Sequence, residues 1–370
     1  MPDTGRLLSF PSKACRVVLK PAEALELAED FLAVPPQGRS DEQRSEAFSN
    51  PDVLLALLGS LERMRDTSPR VVFQEASTIY EWLKHAAPVG VFDERDYFVG
   101  QSAYLAGSTA RLLGFTEEAS RWLDRAESHF RHVLNPAPSM ANVAYARLSL
   151  AFQAGRHMEL LELMPSIRLS FERLGMGEET AKCLLLEAMT LKKLGKAPEA
   201  LSLLDPIQAS SVLSASLKGR ILSEVGDLHQ LEDRFEEAMS AYQLALESFE
   251  TVEVSPGRAD LKAFVGEAYR IRGKSDFALQ AIRAAVADYL ELGLENRVAY
   301  LRMYIADILL SLDRPREAEW EILAALPTIE EQKMVPEGFA AVALLKESVR
   351  RRKTDPNALR ELREHLQASK

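Results

Sequence analysis

A repeat of about forty residues runs through most of this chain and restricts what it can fold into. The segments LGFTEEASRWLDRA, QAGRHMELLELMPSI, LGKAPEALSLLDPI, LEDRFEEAMSAYQLA, IRGKSDFALQAIRAA and LDRPREAEWEILAA align on Ala119, Leu160, Ala200, Ala238, Ala278 and Ala318. Their spacings are 41, 40, 38, 40 and 40 residues. Five residues before each anchor stands Gly114, Gly155, Gly195, Asp233, Gly273 or Asp313. These types tolerate the left-handed backbone that ends one helix and admits the next, so each marks a turn. A period of this length means that one supersecondary unit buries its apolar face against the next copy of itself.

Seven residues before each turn lies Gly107, Leu148, Ala188, Gly226, Gly266 or Ala306, mostly small, and seven after each anchor lies Ala126, Ile167, Ile207, Ala245, Ala285 or Ala325. Small side chains there let two helices approach closely. Leu123, Met164, Leu204, Tyr242, Ile282 and Ile322, four beyond the anchor, fall on the anchor's own helical face. Each unit therefore reads as a helical hairpin.

On these residues the sequence resembles the tetratricopeptide repeat (TPR) superfamily, with a small residue in mid-helix, a turn, and a Glu-Ala pair opening the second helix. Glu118-Ala119, Glu199-Ala200, Glu237-Ala238 and Glu317-Ala318 carry it best. The long period resembles the long-helix branch of bacterial regulatory proteins, which includes signal-responsive transcription activators and peptide-pheromone receptors. The resemblance covers residues 97–332 and implies an all-α fold, a right-handed α-α superhelical solenoid of six to seven hairpins. Leu160 replaces the small anchor, Phe277 replaces the Glu, and Pro165 and Pro206 fall inside second helices, where they are expected to kink or end them and loosen the packing.

Around this array, residues 21–96 read as N-terminal helices. PAEALELAEDFLA forms an amphipathic helix opened by Pro21, VPPQGRSDEQR a loop, and PDVLLALLGSLERM with PRVVFQEASTIYEWLKH a degenerate seventh hairpin centred on Ala76. Residues 333–370 read as capping helices, one over 336–352 and a short charged one from Pro356 to Gln367. Residues 1–20 form a basic segment, extended or disordered, in which Val17-Val18-Leu19 is placed to dock on the acidic body or on a partner's sheet edge.

Composition agrees with helices: 47% of residues are hydrophobic, 7% aromatic, and Gly and Pro number 18 each, too few for an all-β fold with many hairpins. Cys15 and Cys183 cannot build a disulfide framework or a Cys-rich zinc site. No signal peptide or transmembrane run is read, and a cytoplasmic location is expected. The net charge of -10 divides into about +3 over residues 1–20, +4 over 346–370 and -17 between them. That acidic body disfavours direct nucleic-acid binding.

Catalytic patterns are weak. His129 and His132 lie three apart on an expected helix, but no third metal ligand follows at a helical spacing. Arg272-Gly273-Lys274-Ser275 resembles the end of a phosphate loop, yet Gly266 stands too far upstream and the repeat alone accounts for both glycines. No catalytic residue, metal or cofactor is expected.

In the family, function lies on the concave surface lined by the first helix of each hairpin. The resemblance places Tyr104, Ser108, Arg111, Asn142, Tyr145, Ser149, Lys182, Met189, Lys192, Arg220, Asp227, Gln230, Glu267, Arg270, Tyr300, Met303 and Asp307 there. Such a lining suits an extended protein segment or peptide, and its change from basic near Arg111 to acidic near Asp307 suits a ligand carrying both charges. The chaperone-tail clamp of some TPR proteins needs Lys and Asn where this chain has Tyr104 and Ser108, so that ligand is not expected. The expected function is a non-enzymatic interaction scaffold or adaptor. The alternative is a ligand- or peptide-responsive sensor acting in trans on a signalling or transcription partner.

Overall fold

A computed structural model describes residues 19–35, 38–85, 92–208, 213–250 and 254–354; the expectations for the basic N-terminal segment and for the charged helix from Pro356 lie outside these. The chain divides into two compact units, residues 1–213 and 214–370. The first holds α1 (Pro21–Ala33), α2 (Asp41–Ser49), α3 (Pro51–Met64), α4 (Pro69–His85), α5 (Phe92–Leu112), α6 (Thr116–Phe130), α7 (Ala137–Gln153), α8 (His157–Arg173), α9 (Gly177–Lys193) and α10 (Ala197–Gln208). The second holds α11 (Ala215–Leu231), α12 (Phe235–Phe249), α13 (Pro256–Ile271), α14 (Ser275–Glu291), α15 (Glu295–Ser311), α16 (Pro315–Glu331) and α17 (Val335–Thr354). All described regular structure is helical.

The hairpin turns share one construction. All six expected turn residues have positive φ, between 55° and 88°, and so do Gly175, Gly293 and Lys333 between hairpins. At each of the nine, the residue after the turn donates its N–H to a carbonyl five residues back, at 2.8 to 3.0 Å, as in Lys274 to Tyr269 and Leu294 to Tyr289. The turn residue itself donates to the carbonyl three back, as Gly273 does to Arg270 at 2.9 Å. This pair of bonds satisfies the carbonyls a helix would leave open at its end and reverses the chain within three residues.

Hairpin packing follows from side-chain size at facing positions. All six anchors are fully buried. Opposite them, a Cβ on Gly226 would stand 2.4 Å from the Tyr242 ring and 3.1 Å from the Ala238 carbonyl. One on Gly266 would stand 2.5 Å from Ile282 and 3.2 Å from the Ala278 carbonyl. The second helix thus lays its anchor backbone directly on the first. Where Leu148 replaces the small residue, the α7–α8 contact is smaller than in hairpins α5–α6, α11–α12, α13–α14 and α15–α16; α9–α10 is also smaller. The expected loosening falls on the two hairpins that carry Leu160, Pro165 and Pro206.

Three local expectations need correction. Pro165 does not end its helix: α8 runs on to Arg173, and Pro165 is exposed, so the carbonyl it deprives can meet water. Pro206 is followed by two more helical residues before α10 ends at Gln208. The loop expected over residues 34–44 closes early, because Ser40 caps α2, accepting from the Gln43 N–H at 3.2 Å while Gln43 Oε1 accepts from the Ser40 N–H at 2.9 Å. The α3–α4 pair does touch, but α3 packs mainly on α1 and α4 mainly on α5. Arg65 ends α3 in right-handed conformation, without the left-handed residue that folds the other hairpins shut.

Beneath the α1–α2 connection lies a buried ion pair. Arg39 meets Glu75 of α4 at 2.5 Å, donates from Nε to the Val34 carbonyl at 2.8 Å and lies 4.1 Å above the Phe31 ring. Both partners are almost fully enclosed, so the pair locates the connection rather than adding much stability.

The small-against-large rule yields a test. Gly226→Ala should destabilise the protein by about 1–3 kcal/mol through overpacking against Tyr242, measured by urea unfolding. Adding Tyr242→Leu, which reproduces the Ala188–Leu204 pair already present in the chain, should recover most of that loss.

Candidate functional site

Equal turns give equal registers. Counting back from each turn residue, the positions thirteen, six and three before it fall on one face of every first helix, since these offsets nearly match whole helical turns. The first helices α5, α7 and α9 are neighbours in the first unit, as are α11 and α13 in the second. Side chains at one register therefore stand side by side within each unit.

In the first unit Tyr104 and Tyr145, ten residues before their turns, join Arg111 and Lys182 of these rows. The Tyr145 hydroxyl points to the Lys182 carbonyl at 3.4 Å, and Lys182 reaches Glu179 at 3.5 Å. Arg65, at the end of α3, joins this group; it holds Glu62 at 2.5 Å and Asp66 at 3.3 Å. Burial opposes the Arg65 charge, but Asp66 and Glu62 outweigh it and keep its pKa above the ordinary value. Burial pushes the Tyr104 phenol up to about 12 against the pull of Arg65. Burial also lowers the Arg111 pKa; Tyr145 resists this and the Arg65 charge adds to it. Asn142, Met189 and Lys192 are half-buried on the same face.

In the second unit the six-before register is acidic throughout, with Asp227, Glu267 and Asp307. Arg270 holds Glu267 with two bonds, Nε to Oε2 at 2.7 Å and Nη2 to Oε1 at 2.8 Å, and donates from Nε to the Tyr304 hydroxyl at 2.6 Å. Those bonds to Glu267 raise its pKa. Gln230 accepts from the Tyr242 hydroxyl at 3.3 Å. Arg220 is half-buried and lies in the space a side chain on Gly257 would need, while Tyr300 and Asp307 are exposed.

Four of the expected lining residues are closed to solvent. Tyr104, Ser108, Ser149 and Met303 are each less than a tenth exposed. The Ser108 hydroxyl donates to the Leu105 carbonyl at 3.1 Å and that of Ser149 to the Tyr145 carbonyl at 3.1 Å. Helical register gives the face a residue takes, but the neighbouring first helix decides how deeply it lies. Arg65, Tyr304 and Asp260 were not among the expected residues. Asp260 shares the thirteen-before register with Asn142, Lys182, Arg220 and Tyr300, and accepts from the Tyr289 hydroxyl at 2.5 Å. That shared register is the signal that could have found it.

The catalytic candidates take structural places. His129 Nδ1 lies 2.8 Å from Asp96, and His132 falls beyond the end of α6, not on the helix as expected. Among the described residues no three His, Cys, Asp or Glu side chains gather in a metal-binding group. Gly273 of the phosphate-loop string is a hairpin turn residue. No helix of the described residues is long and apolar enough to cross a membrane.

No protein-family profile matches the sequence, and no curated protein matches it. Solved structures are similar to it in fold. The Rap conjugation gene regulator of the plasmid pLS20, in complex with the Phr* peptide, superposes with a TM-score of 0.61 at 10% identity, over 85% of this chain and 87% of that one. NprR in complex with its cognate peptide NprX superposes at 0.58 and 15% identity, over 90% and 97%. The Cut9–Hcn1 hetero-tetramer of APC/C gives 0.50 at 19% identity over 89% of this chain, which spans about half the length of that one, 52%. The chain has the TPR-like helical-repeat fold.

The Cys183 thiol lies off this face, in the core between α8 and α9. Cys183 of α9 is fully buried against Leu160, Met164 and Phe171, and burial pushes its pKa up to about 12. In a Cys15→Ser variant, Cys183 should react with a disulfide reagent at pH 8 at least about 100-fold more slowly when folded than when unfolded. The unfolded thiol ionises near its ordinary value while the folded one keeps its proton, so its contribution to stability should be lost as pH rises above about 8.5.

Proposed function

We propose that this chain is a non-catalytic binding protein that takes an extended segment of another protein on the shared face of its first helices. The observation that carries this reading is the recurrence of polar and aromatic side chains at matched registers: Asn142 and Lys182 in one unit, Arg220, Asp260 and Tyr300 in the other. Side chains spaced in this way can meet successive residues of an extended ligand, with aromatic area and hydrogen bonds in alternation. Asp227, Glu267 and Asp307 favour a basic stretch, and Arg111 with Lys182 and Lys192 an acidic one.

A second reading, a regulator answering to a short peptide and acting in trans on a partner, draws support from the NprX and Phr* complexes, whose TM-scores exceed that of Cut9–Hcn1. Both readings use the same face and differ in the size of what it holds.

Affinity purification from the native cell, with mass spectrometry of both proteins and short peptides, tests them together. Asn142→Glu with Lys182→Glu, or Tyr300→Ala with Asp307→Arg, should reduce recovery of the ligand at least about tenfold while the melting temperature stays unchanged. Recovery equal to wild type with both pairs would place binding elsewhere. A recovered peptide of a few residues selects the regulator, and a recovered folded protein selects the scaffold.

A further inference from the structure

Arg111 and Arg270 occupy the same register, three residues before a hairpin turn, yet only one of them has a partner. Arg270 is held by Glu267, three residues earlier on its own helix, and by Tyr304 from the next first helix. At Arg111 the residue three earlier is Ser108, whose hydroxyl is spent on the Leu105 carbonyl. The Arg111 guanidinium makes no hydrogen bond or ion pair with any described residue, and its Nε is shut off from solvent with no acceptor. Arg65, Arg147, Arg168 and Arg302, also partly buried, all hold carboxylates.

Arg111 and Arg270 share one further feature. A tyrosine of the next first helix stands near each: Tyr145 acts on the Arg111 charge, and Tyr304 accepts from Arg270 with its ring 5.5 Å from the guanidinium. Tyr104, on the same face of α5, adds a hydroxyl that no described residue engages. What Arg111 lacks is a bonded carboxylate: Asp66 acts on its charge from a distance but is paired with Arg65 at 3.3 Å.

We propose that Arg111 is the receptor for a carboxylate of the bound segment, which takes on Arg111 the place that Glu267 takes on Arg270. This rests on the reading of the first-helix face as a peptide-binding surface. A planar guanidinium in a half-buried site matches the two oxygens of a carboxylate with two parallel bonds, and a ligand acid there relieves the repulsion between Arg111 and Arg65. The acid can be the terminal carboxylate of a peptide or an Asp or Glu side chain.

Four pools of random hexapeptides separate these sources: free C-terminal acid or C-terminal amide, each with or without Asp and Glu. Each pool is passed over the immobilised full-length protein, and retention is measured by mass spectrometry. The wild type should retain acid-bearing pools at least about tenfold over the amidated pool lacking Asp and Glu. Arg111→Met, which keeps the aliphatic stem, should erase that preference while melting no lower than wild type, because it removes an unpaired buried charge. Ser108→Glu, which supplies the carboxylate internally as Glu267 does, should erase it as well and raise the melting temperature.

Preference for the amidated pool with Asp and Glu assigns the side-chain source, and preference for the acid-free pool with a free terminus assigns the terminal one. Equal retention of all pools by the wild type, or a preference that survives Arg111→Met, overturns the carboxylate receptor and leaves the peptide-binding surface standing. Retention of no pool by the wild type overturns both.

Discussion

The rest of the structure depends on the hydrogen-bonded turn that closes a helix around one left-handed residue. Where it recurs every twenty residues, as at 155, 175 and 195 and at 273, 293, 313 and 333, it cuts the chain into helices of sixteen or seventeen residues joined by three-residue reversals. Helices of nearly equal length, about 25 Å, place each first helix in the same register as the one before it. Small residues at 226 and 266 then fix how closely two helices meet, and the anchors at 238 and 278 fix where. The spacing changes to 41 residues after α6 and to 38 after α10 without shifting this register, because the turn inside each hairpin is kept.

A regular register turns a row of single residues into a surface. Two units use it differently. The second carries its own counter-ions, with Glu267 and Asp307 around Arg270 and Asp260 on Tyr289, and so presents an acidic face with its main cation already engaged. The first leaves Arg111 among tyrosines, Arg65 and an Asp66 that Arg65 already holds, with no carboxylate bonded to it. A half-buried cation without a bonded partner costs stability, which is why the proposed ligand carboxylate would gain binding strength there.

Much of this was legible in the sequence. All six turn residues and all six anchors were fixed by the period, because Gly or Asp at one offset and Ala at another leave few conformations open. Lys333 was missed as a turn residue since nothing in lysine favours positive φ; the register of the array imposes it. α2 was missed because DEQRSEAFS carries no apolar period, and its start rests on the Ser40–Gln43 capping pair alone. Depth was the least legible quantity. The family resemblance placed Tyr104, Ser108, Ser149 and Met303 on first helices, but only packing between neighbouring first helices decides that they lie below the surface. The company of Arg111 was hidden for a related reason, since Arg65 arrives from α3, outside the clear repeat.

The claim at the centre of this account is that the first-helix face is where a partner segment lies, and site-specific photocrosslinking in the native cell measures that directly. A photoreactive amino acid is placed at Asn142 or Tyr300 on first helices, and at Glu162 or Gln243, exposed on second helices, for comparison. The account predicts a crosslinked protein or peptide from position 142, from position 300 or from both, and none from 162 or 243. Adducts from the second-helix positions, with none from the first, would contradict it.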